Sequence, residues 1–307
     1  MTAATPRTVE QYLDLLRTEL EGADRALVQD ALYDAEEHLR AELAQHPDAT
    51  EETMLGQIVA SYGAPGEVAD AYRSNETKVQ DALRTPRPKP KHTALGRFFG
   101  VYSDPRAYLS MAYMLLALAT GIFYFTFAAT GVSLSFGLAL LIIGIPFFLL
   151  FIGTARVLAL AEGRIVETLL GTRMPRRPVH PGPPAGWKER VLDMLKDPRT
   201  WGTLLYLLLM LPLGLFYFTF VLVGIACSLA LTIAPIVMLL YHAGFVTIDD
   251  VVLESPHPAL LPLISILGIV LLTLTLHLSR GIGYLHGQLA KSLLVRAPRT
   301  ADDPAAS

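Results

Sequence analysis

A row of side chains near the amino terminus has the residue types and the spacing of a metal site. Asp34, His38 and Glu42 are four residues apart, so on a helix they would share one face. Carboxylate and imidazole groups are common ligands of divalent metals, but the ligands of a tight site converge from several directions. We therefore favour a solvated polar face and assign no metal and no cofactor, although metal binding by this row stays open.

Recognisable catalytic motifs are missing from the sequence. It has no Walker loop, no His-Glu-x-x-His zinc motif, no Gly-x-Ser-x-Gly nucleophile motif and no histidine-kinase core. A transporter or proton relay would need carboxylates deep in the membrane, where they are costly and usually functional, and we expect none there. We therefore predict no catalytic residue and no enzyme. The polar candidates inside the apolar segments are His242 and His277, with the hydroxyls of Tyr113, Tyr124, Tyr206 and Tyr217.

The composition places much of the chain in a lipid bilayer. Hydrophobic residues make up 52% and charged residues 17% of its 307 residues, and the mean hydropathy is +0.42. Soluble globular proteins carry about 25% charged residues. Residues 1–83 contain 17 acidic against 6 basic residues, whereas the rest of the chain contains 11 acidic against 19 basic ones. The sequence therefore predicts an acidic soluble module, followed by a membrane module with basic flanks.

Residues 1–83 have the pattern of a small helical bundle. Apolar residues recur at helical spacing in four stretches, which Asp24, Pro47 and the turn at residues 63–66 separate. Thr8 and Gln11 have the spacing of a capping box at the start of the first stretch. Because no stretch here alternates as a strand would and the membrane segments are apolar helices, we predict an all-α protein.

This module resembles a known signalling domain. The resemblance lies in Tyr12-Leu-x-x-Leu16, in Glu36-Glu37-His38-Leu39 and in the closing Tyr-Gly-Ala-Pro-Gly-Glu-Val-Ala of residues 62–69. These motifs are similar to those of the HAAS-type α-helical signalling domain of bacterial membrane proteins. The resemblance implies a cytoplasmic protein partner and suggests a PadR-like transcriptional regulator. We expect no direct binding of nucleic acid, because the basic runs lack interleaved aromatic residues and adjoin the membrane.

Two basic, proline-rich linkers, 84–94 and 173–186, flank the first membrane region. Such stretches are stiff and extended, and we expect both to lie against anionic lipid headgroups. Between Arg106 and Arg156 the chain has no charged residue, which leaves room for two helices of about 20 residues. Both flanks are rich in basic residues, so the positive-inside rule predicts an inner-membrane protein with both termini in the cytoplasm.

The second membrane region, residues 187–295, repeats the first, residues 95–172. Residues 104–127 and 197–220 align without a gap at an offset of 93 positions, and 13 of these 24 positions are identical. We predict two parallel repeats of two crossings each, related by a pseudo-twofold axis along the membrane normal. Further aligned pairs on the return helices are Arg156 with Arg280, Glu162 with His286 and Gly163 with Gly287.

The second repeat contains an insertion, from about residue 234 to 263, that is acidic and has no basic residue. The apolar segment 225–244 next to it is long enough to span the membrane alone. A fifth crossing would place the basic residues near the carboxyl terminus on the outer face, so we prefer four crossings with a non-spanning or re-entrant segment interrupted at Pro235. The fifth crossing stays open as the alternative. Residues 296–307 form a polar tail.

Two aromatic pentads, one in each repeat, are the candidate seam between the repeats. Packing is their favoured role, but a small apolar or lipidic ligand would be expected there if the membrane region binds one. Small residues at four-residue spacing on the return helices are expected to let the two copies approach closely. The pentads are Phe123, Tyr124, Phe125, Thr126, Phe127 and Phe216, Tyr217, Phe218, Thr219, Phe220, and the small residues are Ala159, Gly163, Gly283 and Gly287.

The doubled pentad, the two Asp-Pro-Arg motifs and Gly144-Ile-Pro146 resemble the sensor transmembrane domain of bacteria, which often precedes kinase-like modules. The resemblance spans residues 95–295 and implies a small helical membrane sensor. We therefore predict an integral inner-membrane protein that couples a membrane or envelope signal to a cytoplasmic partner through its N-terminal helical domain. A small transporter or permease-like subunit is the alternative, and the sequence leaves a homo-oligomer open.

Overall fold

The fold, taken from a computed structural model, is all-α, as predicted: helices dominate the described residues and no strand occurs among them. The chain forms two compact units. The first unit contains residues 1–84, 130–206 and 288–307, and the second contains residues 85–129 and 207–287. The structure describes residues 6–46, 50–83, 93–138, 144–177, 192, 195–243 and 258–295. Most of both predicted linkers and the predicted polar tail lie outside these ranges.

The first unit begins with four short helices, as the apolar spacing predicts. They are α1 (Val9–Glu19), α2 (Arg25–Gln45), α3 (Glu51–Tyr62) and α4 (Pro65–Leu83). Local caps start the first two helices: the Thr8 hydroxyl accepts from the Gln11 N–H at 3.2 Å, and the Asp24 carboxylate accepts from the Ala26 N–H at 2.9 Å. These caps explain why the starts of both helices could be read from the sequence.

The core of this bundle consists of the predicted apolar stripes. Tyr12, Leu16, Leu39 and Leu55 are completely buried there. The Tyr12 hydroxyl donates to the Gly63 carbonyl oxygen at 3.0 Å, at the turn between α3 and α4. Gly63 has a φ of 112°, a backbone conformation that side chains other than glycine rarely adopt. Burial raises the pKa of the Tyr12 phenol, which therefore remains a hydrogen-bond donor.

The remaining helices are mostly long and apolar. The short helix α5 (Ala94–Phe99) precedes α6 (Pro105–Leu138), α7 (Gly144–Leu170), α8 (Pro198–His242) and α9 (Leu261–Leu294). Among the described residues, helices α6 to α9 are the four that are long and apolar enough to cross a membrane. The shortest of them, α7, has 27 residues, whereas a crossing needs about 20. The protein is therefore a multi-pass membrane protein.

The interruption expected at Pro235 is not found. Helix α8 continues through both Pro212 and Pro235 for 45 residues and takes up most of the apolar segment 225–244. Up to His242 that segment is thus the second half of α8 and not a separate helix. Proline inside a membrane helix is tolerated when neighbouring groups satisfy the freed backbone carbonyls. Pro235 has no N–H to donate to the carbonyl oxygen of Leu231, four residues earlier. The Ser265 hydroxyl of α9 donates to the next carbonyl oxygen, that of Thr232, at 3.2 Å. The acidic residues of the expected insertion lie outside the described residues.

Candidate functional site

The two Asp-Pro-Arg motifs start the outgoing helices α6 and α8. Asp104 caps α6 by accepting from the Arg106 N–H at 3.1 Å, and Asp197 caps α8 by accepting from the Arg199 N–H at 3.0 Å. The proline that follows each aspartate suits the first position of a helix, because its missing N–H would have no partner there. The motif is therefore a local helix-start signal in both copies.

Each capping aspartate also binds an arginine of a return helix. In the second unit, Arg280 Nη1 of α9 lies 2.9 Å from Asp104 Oδ2. In the first unit, Arg156 Nη2 of α7 lies 3.3 Å from Asp197 Oδ2. The two pairs correspond in the sequence alignment, because Asp104 aligns with Asp197 at an offset of 93 positions and Arg156 aligns with Arg280 at an offset of 124. In both pairs the aspartate comes from one copy and the arginine from the other.

A second set of equivalent contacts involves tyrosine hydroxyls. In the second unit, Tyr113 hydrogen-bonds to His286 Nε2, and the Tyr217 hydroxyl lies 3.1 Å from His286 Nδ1. In the first unit, the Tyr206 hydroxyl donates to Glu162 Oε1 at 3.0 Å. The side chains of Glu162 and His286 are both buried. Tyr113 aligns with Tyr206 and Glu162 with His286, so a tyrosine contact recurs at aligned positions with a different partner.

We expected His242 and His277, not Glu162 and His286, to be the polar side chains inside the apolar segments. His277 Nε2 lies 2.9 Å from the carbonyl oxygen of Phe98, and the His277 ring stacks on the Phe98 ring. The side chain of His242 is outside the described part of the chain. Glu162 is a buried carboxylate in the membrane-capable helix α7, six residues after Arg156. The absence of carboxylates deep in the membrane remains a prediction. The sequence alignment already indicated Glu162 and His286, because they are polar residues at aligned positions of apolar return helices.

The two aromatic pentads have the same exposure at each position. Tyr124 and Tyr217 are buried, whereas Phe123 and Phe216 are 56% and 58% exposed. The remaining residues follow the same pattern: Phe125, Phe127, Phe218 and Phe220 are partly buried, and Thr126 and Thr219 are exposed. Each pentad thus turns its tyrosine inward and its first phenylalanine outward. Binding of a lipidic ligand at this seam remains a prediction.

Two glycines outside the expected set allow the closest backbone approach in the second unit. A Cβ atom on Gly121 of α6 would clash with the carbonyl oxygen of Met210, and one on Gly214 of α8 would clash with that of Ala117. The two contacts are equivalent, because Gly121 aligns with Gly214 and Ala117 with Met210. Among the four small residues named from the sequence, Ala159, Gly163, Gly283 and Gly287 are all buried, and the described neighbour of Gly163 is Met174. Their role in contact between the copies remains a prediction.

The described part of the second basic linker lies on the acidic bundle. The guanidinium of Arg173 contacts three carboxylates: Nη2 is 3.2 Å from Asp30 Oδ2, Nε is 3.3 Å from Glu76 Oε2, and Nη1 is 3.0 Å from Glu167 Oε1. Asp30 and Glu76 belong to α2 and α4, and Glu167 belongs to α7. The side chain of Arg173 is 11% exposed, and those of its partners are 10% exposed or less. This is a buried ion cluster within the first unit.

The backbone after Arg173 is bound as well. Asp30 Oδ1 accepts from the N–H groups of Arg176 and Arg177 at 2.7 and 2.9 Å, and Gln29 Nε2 donates to the carbonyl oxygen of Arg177 at 2.8 Å. Arg177 Nε lies 2.9 Å from Asp34 Oδ1, and its guanidinium lies 5.6 Å from the centre of the Tyr33 ring. For residues 173–177 the expected position against lipid headgroups is therefore wrong, because the acidic face of α2 offers carboxylates to both the side chains and the backbone.

The charges in this cluster shift each other's protonation. Burial raises the pKa of the Asp30 carboxyl, and the N–H groups of Arg177 and Arg176 and the charge of Arg173 only partly oppose this. For Arg173, burial lowers the pKa, but the carboxylates of Glu76, Glu167 and Asp30 outweigh burial and raise it overall. Arg173 therefore stays charged, whereas burial disfavours the ionised form of Asp30.

Two residues of the predicted metal-ligand row, Asp34 and His38, each contact a tyrosine of the bundle. Asp34 accepts from the Tyr72 hydroxyl at 2.9 Å, in addition to its pair with Arg177. The ring of His38 stacks on Tyr62 at 4.5 Å between ring centres. Within the described ranges, no group of three or more His, Cys, Asp and Glu side chains could hold a metal ion.

A further ion pair joins the bundle to the other return helix. Lys291, in the last turn of α9, pairs with Asp24, whose carboxylate also caps α2. Both residues belong to the first unit, and their side chains are 20% and 21% exposed. The bundle thus pairs with Arg173, three residues after the end of α7, and with Lys291 in the last turn of α9.

Four membrane-capable helices, with paired polar contacts, define a multi-pass helical membrane protein. The family model described as "Putative sensor" matches residues 113–294, which is more than half of the chain, so the chain belongs to this sensor family. The match runs from Tyr113 to the end of α9 and includes both aromatic pentads. No curated protein and no solved structure matches the chain.

Proposed function

We propose that this protein is an inner-membrane sensor whose acidic bundle relays the arrangement of the return helices to a cytoplasmic protein. One observation carries the proposal: the bundle pairs with a residue at the end of each return helix, with Arg173 just after α7 and with Lys291 in the last turn of α9. A displacement of either helix would therefore move or release the bundle. The sensor itself is not a catalyst in this proposal.

The membrane helices need two arrangements that differ by a few kcal/mol, so that a signal can favour one of them. We propose that they form two parallel repeats with a pseudo-twofold axis. This is supported by the recurrence of the Asp104–Arg280 pair as Asp197–Arg156 and of the Gly121 contact at Gly214. Because these contacts join an outgoing helix of one copy to a helix of the other, a signal that separates the copies would act on all of them.

The proposed output is a protein partner on the cytoplasmic side, and the resemblance of the bundle suggests a PadR-like transcriptional regulator. The bundle supports this role by its charge, since 17 acidic residues in 1–83 face only 6 basic ones. An acidic surface attracts a basic partner and disfavours direct contact with nucleic acid phosphates. The sensor would thus hold or release the regulator without binding DNA itself.

Orientation is the first test, because a cytoplasmic partner requires a cytoplasmic bundle. The only cysteine is Cys227, so a Cys227→Ser chain offers a background for single-cysteine labelling. A cysteine at position 70, where the Asp70 side chain is 80% exposed, should react with a membrane-impermeant maleimide only after the cells are permeabilised. A cysteine replacing Val252 in the acidic segment should react in intact cells. Labelling of position 70 from outside would overturn the proposal.

The partner is tested with the full chain purified from membranes in mild detergent. We expect a DNA-binding regulator to co-purify with it, and its operator DNA to compete for that regulator. The matched control is the same chain with Asp30→Ala and Asp34→Ala, which removes carboxylates from the face of α2. Recovery of an ATPase subunit in place of a regulator would contradict the proposal and favour the transporter alternative.

A further inference from the structure

We propose that residues 171–177, here named the strap, occupy a binding groove for a basic, extended segment of a partner protein. The groove is formed by Gln29, Asp30, Asp34 and Glu76 of the bundle. The strap then acts as an internal competitor for that segment. The identity of the partner rests on the proposed function, but the groove and its occupation by the strap do not.

The strap is bound in the way that proteins bind extended peptides. It leaves α7 at Gly171, whose φ of 68° ends the helix, and it makes no regular secondary structure up to residue 177. Consecutive backbone N–H groups, those of Arg176 and Arg177, donate to one carboxylate oxygen of Asp30, while Gln29 donates to the carbonyl oxygen of Arg177. These contacts recognise backbone rather than side chains, so a peptide of another sequence can make them.

Side-chain recognition in the groove selects positive charge. Arg173 enters the groove with its side chain 11% exposed and contacts both Asp30 and Glu76. Arg177 pairs with Asp34 at the rim, where its side chain is 51% exposed. One buried arginine followed by an exposed one is therefore the pattern that the groove accepts. A hydrophobic segment would not replace the charge that Arg173 brings to the buried carboxylates of Asp30 and Glu76, so it should bind poorly.

Because of these charges, the strap should be replaced by another cationic segment rather than leave the groove empty. If it left an empty groove, Asp30 and Glu76 would be left without Arg173, so release is favourable only when another cation enters. The side chains of Arg176 and Arg177 are 45% and 51% exposed, and exposed ion pairs contribute little to stability. Displacement of the strap therefore depends mainly on replacing Arg173.

The strap also offers a route from the membrane to the groove. It follows directly on α7, and Glu167 of α7 contacts Arg173 Nη1 at 3.0 Å and Arg176 Nη2 at 3.6 Å. A movement of α7 would pull on the residues that fill the groove. The signal would thus change how easily a partner segment enters, which is a regulation of the bundle by its own linker.

The test uses the full chain in lipid nanodiscs and a fluorescent peptide with the sequence of residues 171–177, Gly-Thr-Arg-Met-Pro-Arg-Arg. Wild-type protein should bind this peptide weakly, because the strap competes. In the Arg173→Ala chain the strap is weakened and the groove is kept, so the peptide should bind about tenfold tighter. Adding Asp30→Asn to that chain should abolish the gain. Arg7→Ala, which removes an exposed ion pair with Glu52, is the matched control and should bind like the wild type.

A second measurement needs no substitution and therefore does not depend on how the variant folds. Hydrogen exchange of the backbone amides of Arg176 and Arg177 should be slow in the wild type and should accelerate when the peptide is added. A peptide in which glutamine replaces the arginines should leave the exchange unchanged. The proposal is overturned if Arg173→Ala gains no binding and the strap amides do not respond to saturating peptide. Failure to recover a regulator would leave this result intact, and failure of the peptide would leave the regulator result intact.

Discussion

Arg173 Nη2 lies 3.2 Å from Asp30 Oδ2, although the two residues are 143 positions apart in the sequence. The pair connects the residues after a membrane-capable helix to the second helix of the acidic bundle. Because both side chains are about nine-tenths buried, the pair belongs to the class of ion pairs whose disruption is costly. It lies within the compact unit that contains both the bundle and α7.

Removing Arg173 is expected to release the strap. Arg173→Ala leaves Asp30, Glu76 and Glu167 without their shared counter-charge, which should cost about 3 to 5 kcal/mol. Trypsin cleavage after Arg176 should then be about 100-fold faster, since cleavage tracks the population of the open form. Arg7→Ala, at a pair whose side chains are 74% and 65% exposed, should leave the rate unchanged. Equal rates in the two variants would contradict the buried cluster.

Acidification should stabilise the protein through Asp30. Its folded-state pKa is raised by burial, so its contribution to stability is fully present below the unfolded-state pKa of about 3.9 and is lost as the pH rises through the folded value. The melting temperature of the wild type minus that of Asp30→Asn should therefore increase as the pH falls from 7 towards 4. The two curves are measured in one detergent by circular dichroism. If the difference in melting temperature shrinks on acidification, folding lowers the pKa of Asp30 and the prediction is wrong.

The close approach of α6 and α8 should be sensitive to single methyl groups. Gly121→Ala and Gly214→Ala each place a Cβ atom against a backbone carbonyl that cannot move aside, so each should lose about 1 to 3 kcal/mol. Gly137→Ala is the matched control on α6, because no atom lies within 4 Å of its added Cβ. Thermal melting of the three variants in detergent provides the comparison. Alanine has the higher helix propensity, so Gly137→Ala should be neutral or slightly stabilising. An equal loss of stability in all three variants would contradict the packing explanation.

The hydrogen bond between Tyr217 and His286 should contribute measurably to stability. Tyr217→Phe removes the hydroxyl that lies 3.1 Å from His286 Nδ1 and should cost about 0.6 to 2 kcal/mol, the range for hydrogen bonds between membrane helices. Tyr284→Phe makes the same change at a side chain of α9 that is 63% exposed, and it should be neutral. The comparison is made by denaturation in mixed micelles. A neutral Tyr217→Phe would mean that the bond adds nothing to the packing of the helices.

Local signals made much of the fold predictable. The caps at Thr8 and Asp24 and the Asp-Pro-Arg starts of α6 and α8 depend on neighbours within three residues, so the sequence contains all their partners. The long apolar runs likewise predict four membrane-capable helices, because spanning depends on length and composition. At the offset of 93 positions, Asp104 and Asp197 cap their helices in the same way.

The contacts of the candidate site could be predicted less well. Pro235 was expected to interrupt its segment, but the helix continues, and a hydroxyl from α9 satisfies a carbonyl beside it. Glu162 and His286 were visible as an aligned pair, yet only the fold brings each to a tyrosine of the other copy. The basic linker was expected on lipid because its nearest neighbours in the sequence are membrane helices.

The sequence by itself determined the helical class, the membrane-capable segments, the duplication and the opposite charges of the two modules, since each depends on composition or on residues close in the chain. Only the tertiary structure decided which opposite charges meet. Many carboxylates of the bundle could attract a cationic linker, and Coulomb attraction alone does not choose among them. Burial and backbone geometry choose: Arg173 fits where Asp30, Glu76 and Glu167 converge, and the N–H groups of Arg176 and Arg177 reach the same aspartate.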